Sequence, residues 1–495
     1  MNRTHPPRIA IIGGGLSGLT TAAKLSLMDP TLDLSLFEAG SRTGGVIQTE
    51  SADGFILDHG ADMFATQPPA AIELIRQLGL EDQLIEPELT RRGARIVHRG
   101  RLVPVPEGFV LMRATAWLPM LTTPLLGVTG KLRFFAERFV PPLREDRDES
   151  VSEFVLRRMG RQVLERIVAP LAAGIYTADI QKLSMRATMG PIVAMEQRYG
   201  SLAKAAAARR RSGEDSIERS SSGARYGKFR SFPGGMKQFL DSLAEKLPND
   251  TIHLHCPIER LERCEGQKGG DGRWRVHLQD KTSREFDEVV VAVPPQVASG
   301  LLRPLSAAAA SELDSIEMAS AAIVALGVSS TQISKDVDTF GFVVPLSENR
   351  RILAGSFASH KFAGRAPEGQ VMIRVFIGGA MQPELLQSSD AELVQIAREE
   401  LGELIGLTGE PTLARVVRWK DAMPQYHLGH LDRVERIEQE MEKIEGLSLV
   451  NNGLHGVGIA PVVTQAGRVA QRVIERLTRS CDSTSGDDVG VGTGS

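Results

Sequence analysis

Gly13-Gly14-Gly15-Leu16-Ser17-Gly18, with Glu38 twenty residues beyond the last glycine, is a set whose chemistry is the holding of a dinucleotide. Gly13 lets the chain turn tightly out of a strand, Gly15 lets backbone approach a pyrophosphate, and Gly18 lets a helix pack close against the sheet. A helix opening at Leu16 and Ser17 presents unpaired N–H groups and a positive dipole end to the phosphates. A carboxylate at Glu38, followed by Ala39, stands where ribose hydroxyls can be held, and it disfavours a 2′-phosphate. These residues act only if local structure delivers them. The apolar run Arg8–Ile12 predicts a strand, Leu19, Ala22, Ala23 and Leu25 at helical spacing predict a helix, and Leu34–Phe37 predicts the next strand.

The chain has 495 residues, enough for two to four domains or two large interleaved ones. With 58 Lys+Arg against 61 Asp+Glu, its net charge of −3 gives no electrostatic footprint for nucleic acid, which is not expected as a partner. Cys256, Cys264 and Cys481 lack the spacing of a disulfide framework or a metal site, so they read as reduced thiols and no metal is expected. Met1–Pro7 has no apolar signal core, and the expected compartment is the cytoplasm.

Farther along, Leu74–Leu80 ends a helix at a glycine stop, and Ile96-Val97 and Leu102-Val103 predict a hairpin around Arg99-Gly100. The stretch from Phe109 to Arg144 is rich in leucine, methionine and tryptophan, with five basic residues and one acid, Glu137. Two readings stand for it: a helical lid packed on its own domain, or an apolar, basic surface resting on anionic lipid. Pro119 and Pro124 interrupt it, so no membrane span is expected. A helix is predicted through Phe239, Leu240, Leu243 and Leu247. Strands are predicted at Ile252–His255, Trp274–Leu278 and Phe286–Val293, the last apolar enough to be a central strand. Ser212–Lys228 reads as a polar loop and Ser480–Ser495 as a polar tail.

After Glu38 comes Arg42-Thr43-Gly44-Gly45, then Asp53-Gly54-Phe55 and Asp58-His59-Gly60-Ala61-Asp62. This order resembles the FAD-binding flavoproteins of the amine oxidase, phytoene desaturase and protoporphyrinogen oxidase superfamily. The run Trp419-Lys420-Asp421-Ala422-Met423-Pro424-Gln425-Tyr426-His427-Leu428-Gly429-His430 is similar to a stretch of the protoporphyrinogen oxidases in particular. Gly234-Gly235-Met236, Ala292-Val293-Pro294, Gly341–Pro345 and Phe376–Gly379 support the resemblance, which touches most of the chain.

The resemblance implies an α/β fold in which a Rossmann-like FAD-binding domain is interleaved with a substrate-binding sheet domain and a helical, lid or membrane-facing region. It places the FAD domain at 6–90, 232–297 and 443–478, the substrate domain at 91–108, 213–231 and 298–442, the helical region at 109–212, and the tail at 479–495. It implies non-covalent FAD, held by the glycine turn and Glu38, by Arg42 toward phosphate, and by Gly44, Gly45 and Val46. Gly60, Ala61, Asp62 and Met63 are implied on the flavin side, with Ile258 near the adenine and Trp419 as a further contact. The return segment Asn452, Val457, Gly458 and Ile459 opens a second helix toward the flavin. Two departures stand out: Asp58-His59-Gly60-Ala61 replaces Glu-x-Gly-Pro, and Asn451-Asn452 replaces a Gly-Asn or Ala-Gly type pair. His455 receives no role.

On the substrate side the resemblance implies Arg95 as the partner of a propionate, with Arg91 and Arg92 as alternatives. Gly174 leaves room for a flat macrocycle, and Val343 and Phe376 sandwich a pyrrole ring. No catalytic side chain is implied: hydride passes from a methylene bridge to flavin N5, and dioxygen regenerates the flavin with release of hydrogen peroxide. The expected activity is six-electron oxidation of a porphyrinogen in haem biosynthesis, with protoporphyrinogen IX foremost and coproporphyrinogen III as the alternative. An amine oxidase, a carotenoid desaturase and a non-catalytic flavin protein are the other readings. Expected partners are the porphyrinogen, dioxygen, the inner face of a membrane, a ferrochelatase-like downstream enzyme and a second copy of the chain.

Overall fold

The computed structural model describes residues 5–88, 93–110, 112–143, 147–212, 229–264 and 273–484. A five-stranded parallel sheet runs Ile252–His253, Asp33–Phe37, Arg8–Ile12, Glu288–Val291, Leu447–Leu449 in spatial order. Both its faces are covered, as a parallel sheet requires, so its strands are apolar on both sides. One face buries Ile9, Ile11, Leu34 and Leu36 against helices Leu16–Met28, Lys237–Glu245 and Ile459–Thr484. The other buries Ala10, Ile12 and Phe37 against a three-stranded antiparallel sheet and helices Pro295–Leu302 and His430–Glu442.

A second sheet has seven strands in the order Leu413–Pro424, Met318–Ser329, Gln370–Gly378, Ala354–Phe357, Gly341–Val343, Ala94–His98, Arg101–Pro104. Its back face packs Val97, Phe342, Ile373 and Val375 on helix Asp390–Ile405. The front face turns toward the glycine turns and a helical region that includes Val151–Arg158, Ala169–Tyr176, Met185–Tyr199 and Leu202–Arg211.

That region is organised by buried charge. Arg158, with no solvent exposure, lies between Glu137 and Glu196, and Arg157 bridges Glu196 and Glu149 at 2.7 Å each. Glu137 also accepts from the amides of Leu202 and Ala203 at 2.9 and 3.0 Å, which neutralises the start of helix Leu202–Arg211. Among the described residues no helix is long and apolar enough to cross a membrane.

Three sequence expectations change. The run Phe286–Val293 is divided: Ser283–Phe286 belongs to the antiparallel sheet and Glu288–Val291 to the parallel one. Asp287 is the break, because its amide donates to Arg8 O and its carboxylate accepts from the Arg8 amide, both at 2.8 Å. Ile252–His255 is a strand over only two residues, and the closing helix continues to Thr484, past the expected start of the tail. Most of the 213–231 segment and the residues beyond Thr484 lie outside the described residues.

Gly18 shows how closely the first helix sits on its strand: an added Cβ would stand 1.8 Å from Gly13 O. Gly18→Ala is expected to destabilise the fold by about 1–3 kcal/mol in thermal unfolding. Gly467→Ala, where a Cβ meets nothing within 4 Å, should raise stability by roughly 0.5–1 kcal/mol.

Candidate flavin and substrate site

Gly13 leaves the strand at φ +110°, and a Cβ there would come within 2.6 Å of Ala292 O. Its amide donates to Phe37 O at 2.8 Å, so the turn is stitched to the next strand. Helix Leu16–Met28 starts at Gly15 with no side-chain cap, leaving its first N–H groups for an anion. The Glu38 carboxylate accepts from the Gly14 amide at 2.8 Å and from the Gly40 amide at 2.7 Å. Each oxygen keeps a lone pair for a hydroxyl donor, the arrangement ribose needs. Amides of His255 and Cys256 donate to Gly40 O and Glu38 O at 3.0 and 2.9 Å, which brings Ile258 alongside this end.

The second glycine turn closes on the first. The Gly44 amide donates to Gly14 O at 2.8 Å, and a Cβ on Gly45 would be 3.4 Å from the Gly15 Cα. Two facing turns without side chains, beside an uncapped helix and an oriented carboxylate, fit a dinucleotide. Arg42 behaves differently from expectation: its guanidinium donates to Thr43 O at 3.0 Å and Gly45 O at 2.9 Å, bracing the turn. Val46 is exposed beside it.

The segment Asp58–Met63 is held from outside. Trp419 Nε1 donates to His59 O at 2.9 Å, and its indole leaves no room for a Cβ at Gly60. Arg374 donates to Gly60 O. Asp62 is taken up by Lys361 at 2.8 Å and Arg374 at 3.1 Å, so its carboxylate is a structural anchor and only its backbone is left for a cofactor. Burial alone would raise the Asp62 carboxyl, but Lys361 and then Arg374 outweigh it and hold it well below the usual carboxylate range. Ala61 and Met63 flank it half-buried.

The return segment Asn451–Gly458 leaves strand Leu447–Leu449 at the same carboxyl edge of the sheet as Gly13. Val457 packs on the helical region's core together with Val343. Gly458 precedes the closing helix, which begins at Ile459. The Asn452 side chain donates to Ala422 O at 3.3 Å.

On the seven-stranded sheet, Val343 pairs with Ala354, Ala354 with Phe376, and Phe376 with Ile323, so these side chains share the front face. A Cβ on Gly174 would stand 3.1 Å from Val343 Cγ1, which puts Gly174 directly against this wall. Arg374, two residues before Phe376, shares the face and ties it to Gly60. Arg95 does not join them. It pairs with Phe342 and shares parity with Val97, both in the back-face core, and its guanidinium reaches Leu102 O and Asp338 O only at 3.4 Å. The strand's period of two turns it away from Val343 and Phe376. Arg91 and Arg92 lie outside the described residues. The strand's front face carries Ile96, which pairs with Val343, and His98, whose pKa is lowered by burial and then by Arg166 and Arg99. Among the described residues no cluster of three or more His, Cys, Asp or Glu side chains could hold a metal ion.

Sequence reasoning missed Arg374 and Lys361, although a charge inside Val371-Met372-Ile373-Arg374-Val375-Phe376 is a signal that a buried partner exists. Tyr426 and His430, within the Trp419–His430 run, carry no local signal of the role their side chains take. Their rings stack at 3.9 Å, and His430 Nε2 donates to Leu454 O at 2.9 Å.

Residues 16–474 match the family described as flavin containing amine oxidoreductase, and the chain belongs to it. It is an FAD-dependent oxidoreductase. The chain is 29% identical over 462 residues to the coproporphyrinogen III oxidase of Bacillus subtilis, covering 92% of this chain and 96% of that protein. It is 30% identical over 494 residues to the chloroplastic protoporphyrinogen oxidase of Nicotiana tabacum, covering 95% and 86%. A crystal structure of an Exiguobacterium protein assigned as a protoporphyrinogen oxidase superposes with a TM-score of 0.83 at 28% identity, covering 97% of this chain and all of that one.

His430 carries a pH dependence. Burial, partly offset by the Leu454 carbonyl and reinforced by Arg433, His455 and His427, lowers its pKa from 6.5 to about 4. Its Nδ1 is buried with no partner, so a proton there would be an unpaired interior charge. Stability from the neutral ring is fully present above its unfolded pKa and is lost as pH falls from 6.5 to about 4. The loss should reach roughly 3 kcal/mol, read from unfolding midpoints across that range. His430→Gln should flatten that part of the profile.

Proposed function

We propose that this chain oxidises a porphyrinogen to the porphyrin, with protoporphyrinogen IX as substrate and dioxygen as acceptor. Six electrons and six protons leave the macrocycle and reduce three dioxygen molecules to hydrogen peroxide. The observation that carries the reading is the apolar front-face row Val343, Ala354, Phe376 and Ile323, with bare Gly174 against it and Arg374 joining it to the Gly60 turn. A flat, apolar ring needs such a wall. The full-length similarity to proteins named as porphyrinogen oxidases supports it.

FAD, when bound, supplies the hydride-accepting ring that dioxygen reoxidises. The chain's own part is positioning. Glu38 holds hydroxyls, the uncapped helix at Gly15 faces phosphate, and the closing helix at Ile459 offers a positive dipole end to negative charge. A second reading, coproporphyrinogen III, has in its favour the name of the Bacillus subtilis relative and the Arg166 guanidinium close to His98 on the front face, since two further carboxylates call for cations.

The helical region supports peripheral contact with the cytoplasmic face of a membrane. Trp117, Leu118, Val128, Leu132 and Phe139 are each more than half exposed, with Lys131 and Arg138 among them. Exposed apolar side chains beside cations suit anionic lipid.

Flavin-loaded protein supplied with each porphyrinogen in air should give porphyrin fluorescence and peroxide together, and fluorescence no higher than the autoxidation blank overturns the reading. Phe376→Ala is expected to raise KM about tenfold with a smaller change in kcat. Flotation with anionic vesicles tests the surface: Phe139→Glu combined with Leu132→Glu should abolish it, and wild-type protein that never floats removes lipid as a partner.

A further inference from the structure

We propose that Tyr426 is a positioning residue that locks the return loop Asn451–Gly458 and makes its geometry depend on the helical region. The loop leaves the parallel sheet at its carboxyl edge, beside the glycine turns, where ligands of such sheets bind. Tyr426 is 2% exposed, and its hydroxyl is used twice: it donates to Asn452 O and accepts from the Gly456 amide at 2.7 Å. His430, stacked on the same ring, takes Leu454 O. Residues 452, 454 and 456 are thus held by one stacked pair. Burial pushes the phenol pKa up, so the hydroxyl stays a donor across the working pH range.

The segment that carries Tyr426 is itself clamped by the helical region. The Ser184 amide donates to Tyr426 O at 2.8 Å, and the Leu428 amide donates to Lys182 O at 2.9 Å. Asp148 accepts from Ser184 Oγ at 2.8 Å and from the Gly429 amide at 3.0 Å. Gln425 Nε2 donates to Tyr176 O at 3.2 Å, two residues from Gly174 in the same helix. A shift of the helices against the substrate wall therefore moves Tyr426, and through its hydroxyl the loop. The loop lock rests on neither the flavin site nor the porphyrinogen reading; only its effect on FAD affinity rests on the flavin site.

Tyr426→Phe removes only the hydroxyl and leaves a half-buried amide and carbonyl without this partner. In flavin-free protein, amide hydrogen exchange over residues 453–458 should quicken by about tenfold or more, and the FAD dissociation constant, read by fluorescence quenching, should rise about 10- to 100-fold. Asp148→Asn touches no loop residue, yet it should quicken exchange over the same residues, and the double variant should show less than the product of the two effects. Unchanged exchange and affinity in Tyr426→Phe overturn the proposal. If that variant does not fold, Asp148→Asn decides: unchanged exchange over 453–458 overturns it. Wild-type protein that binds no FAD would count against the flavin site alone, because exchange is measured without flavin.

Discussion

Five ionisable side chains buried together, Asp58, Asp62, Lys361, Arg365 and Arg374, decide how the two sheets meet. Taking each from water costs several kcal/mol, and the cost is recovered only where carboxylates and cations face one another in good geometry. The acids come from the end of strand Phe55–Asp58 and the turn after it, and the cations come from the seven-stranded sheet and the helix and loop beside it. The two bodies therefore dock in one register. Arg374 turns that docking into placement, because the guanidinium that neutralises Asp62 also grips the Gly60 carbonyl. Trp419 grips the His59 carbonyl one residue earlier, so the backbone at 59–60 is set by side chains from the seven-stranded sheet.

The helical region follows the same logic with the opposite outcome at its surface. Glu137 is the one acid between Phe109 and Arg144, and it is used inside, against Arg158 and the start of Leu202–Arg211. The neighbouring Arg138 and Phe139 are left outside. One internal anchor thus frees the rest of the segment to present apolar and basic groups together.

The cofactor end was legible in the sequence because glycine and acid spacing there obey local rules: a tight turn, a close approach, a carboxylate at the end of a strand. Gly13 makes the tight turn, Gly18 lets the helix pack close, and Glu38 accepts from backbone amides at the end of its strand. The substrate end was less legible, because a side chain's face depends on sheet register, and a resemblance to a position says nothing of register. Arg95 lies one residue from Ile96 and so on the wrong face. Nothing local to Asp62 announces that its carboxylate is already spoken for, because its partners, Lys361 and Arg374, lie about 300 residues away. Tyr426 and His430 sat within a recognised motif, but their role is to hold a loop that closes only in three dimensions.

The parallel sheet draws its strands from residues 8–12, 33–37, 252–253, 288–291 and 447–449. Synthesis at about 5–20 residues per second delivers the first glycine turn and Glu38 within a few seconds of one another, yet the edge strand Leu447–Leu449 and the helix that covers the first helix come about 400 residues later. The growing chain therefore carries an unfinished, apolar sheet while those residues are made, its pairing partners hundreds of positions away. A flavin that needs the completed sheet adds its binding free energy to the finished fold alone, and gives the half-made one nothing.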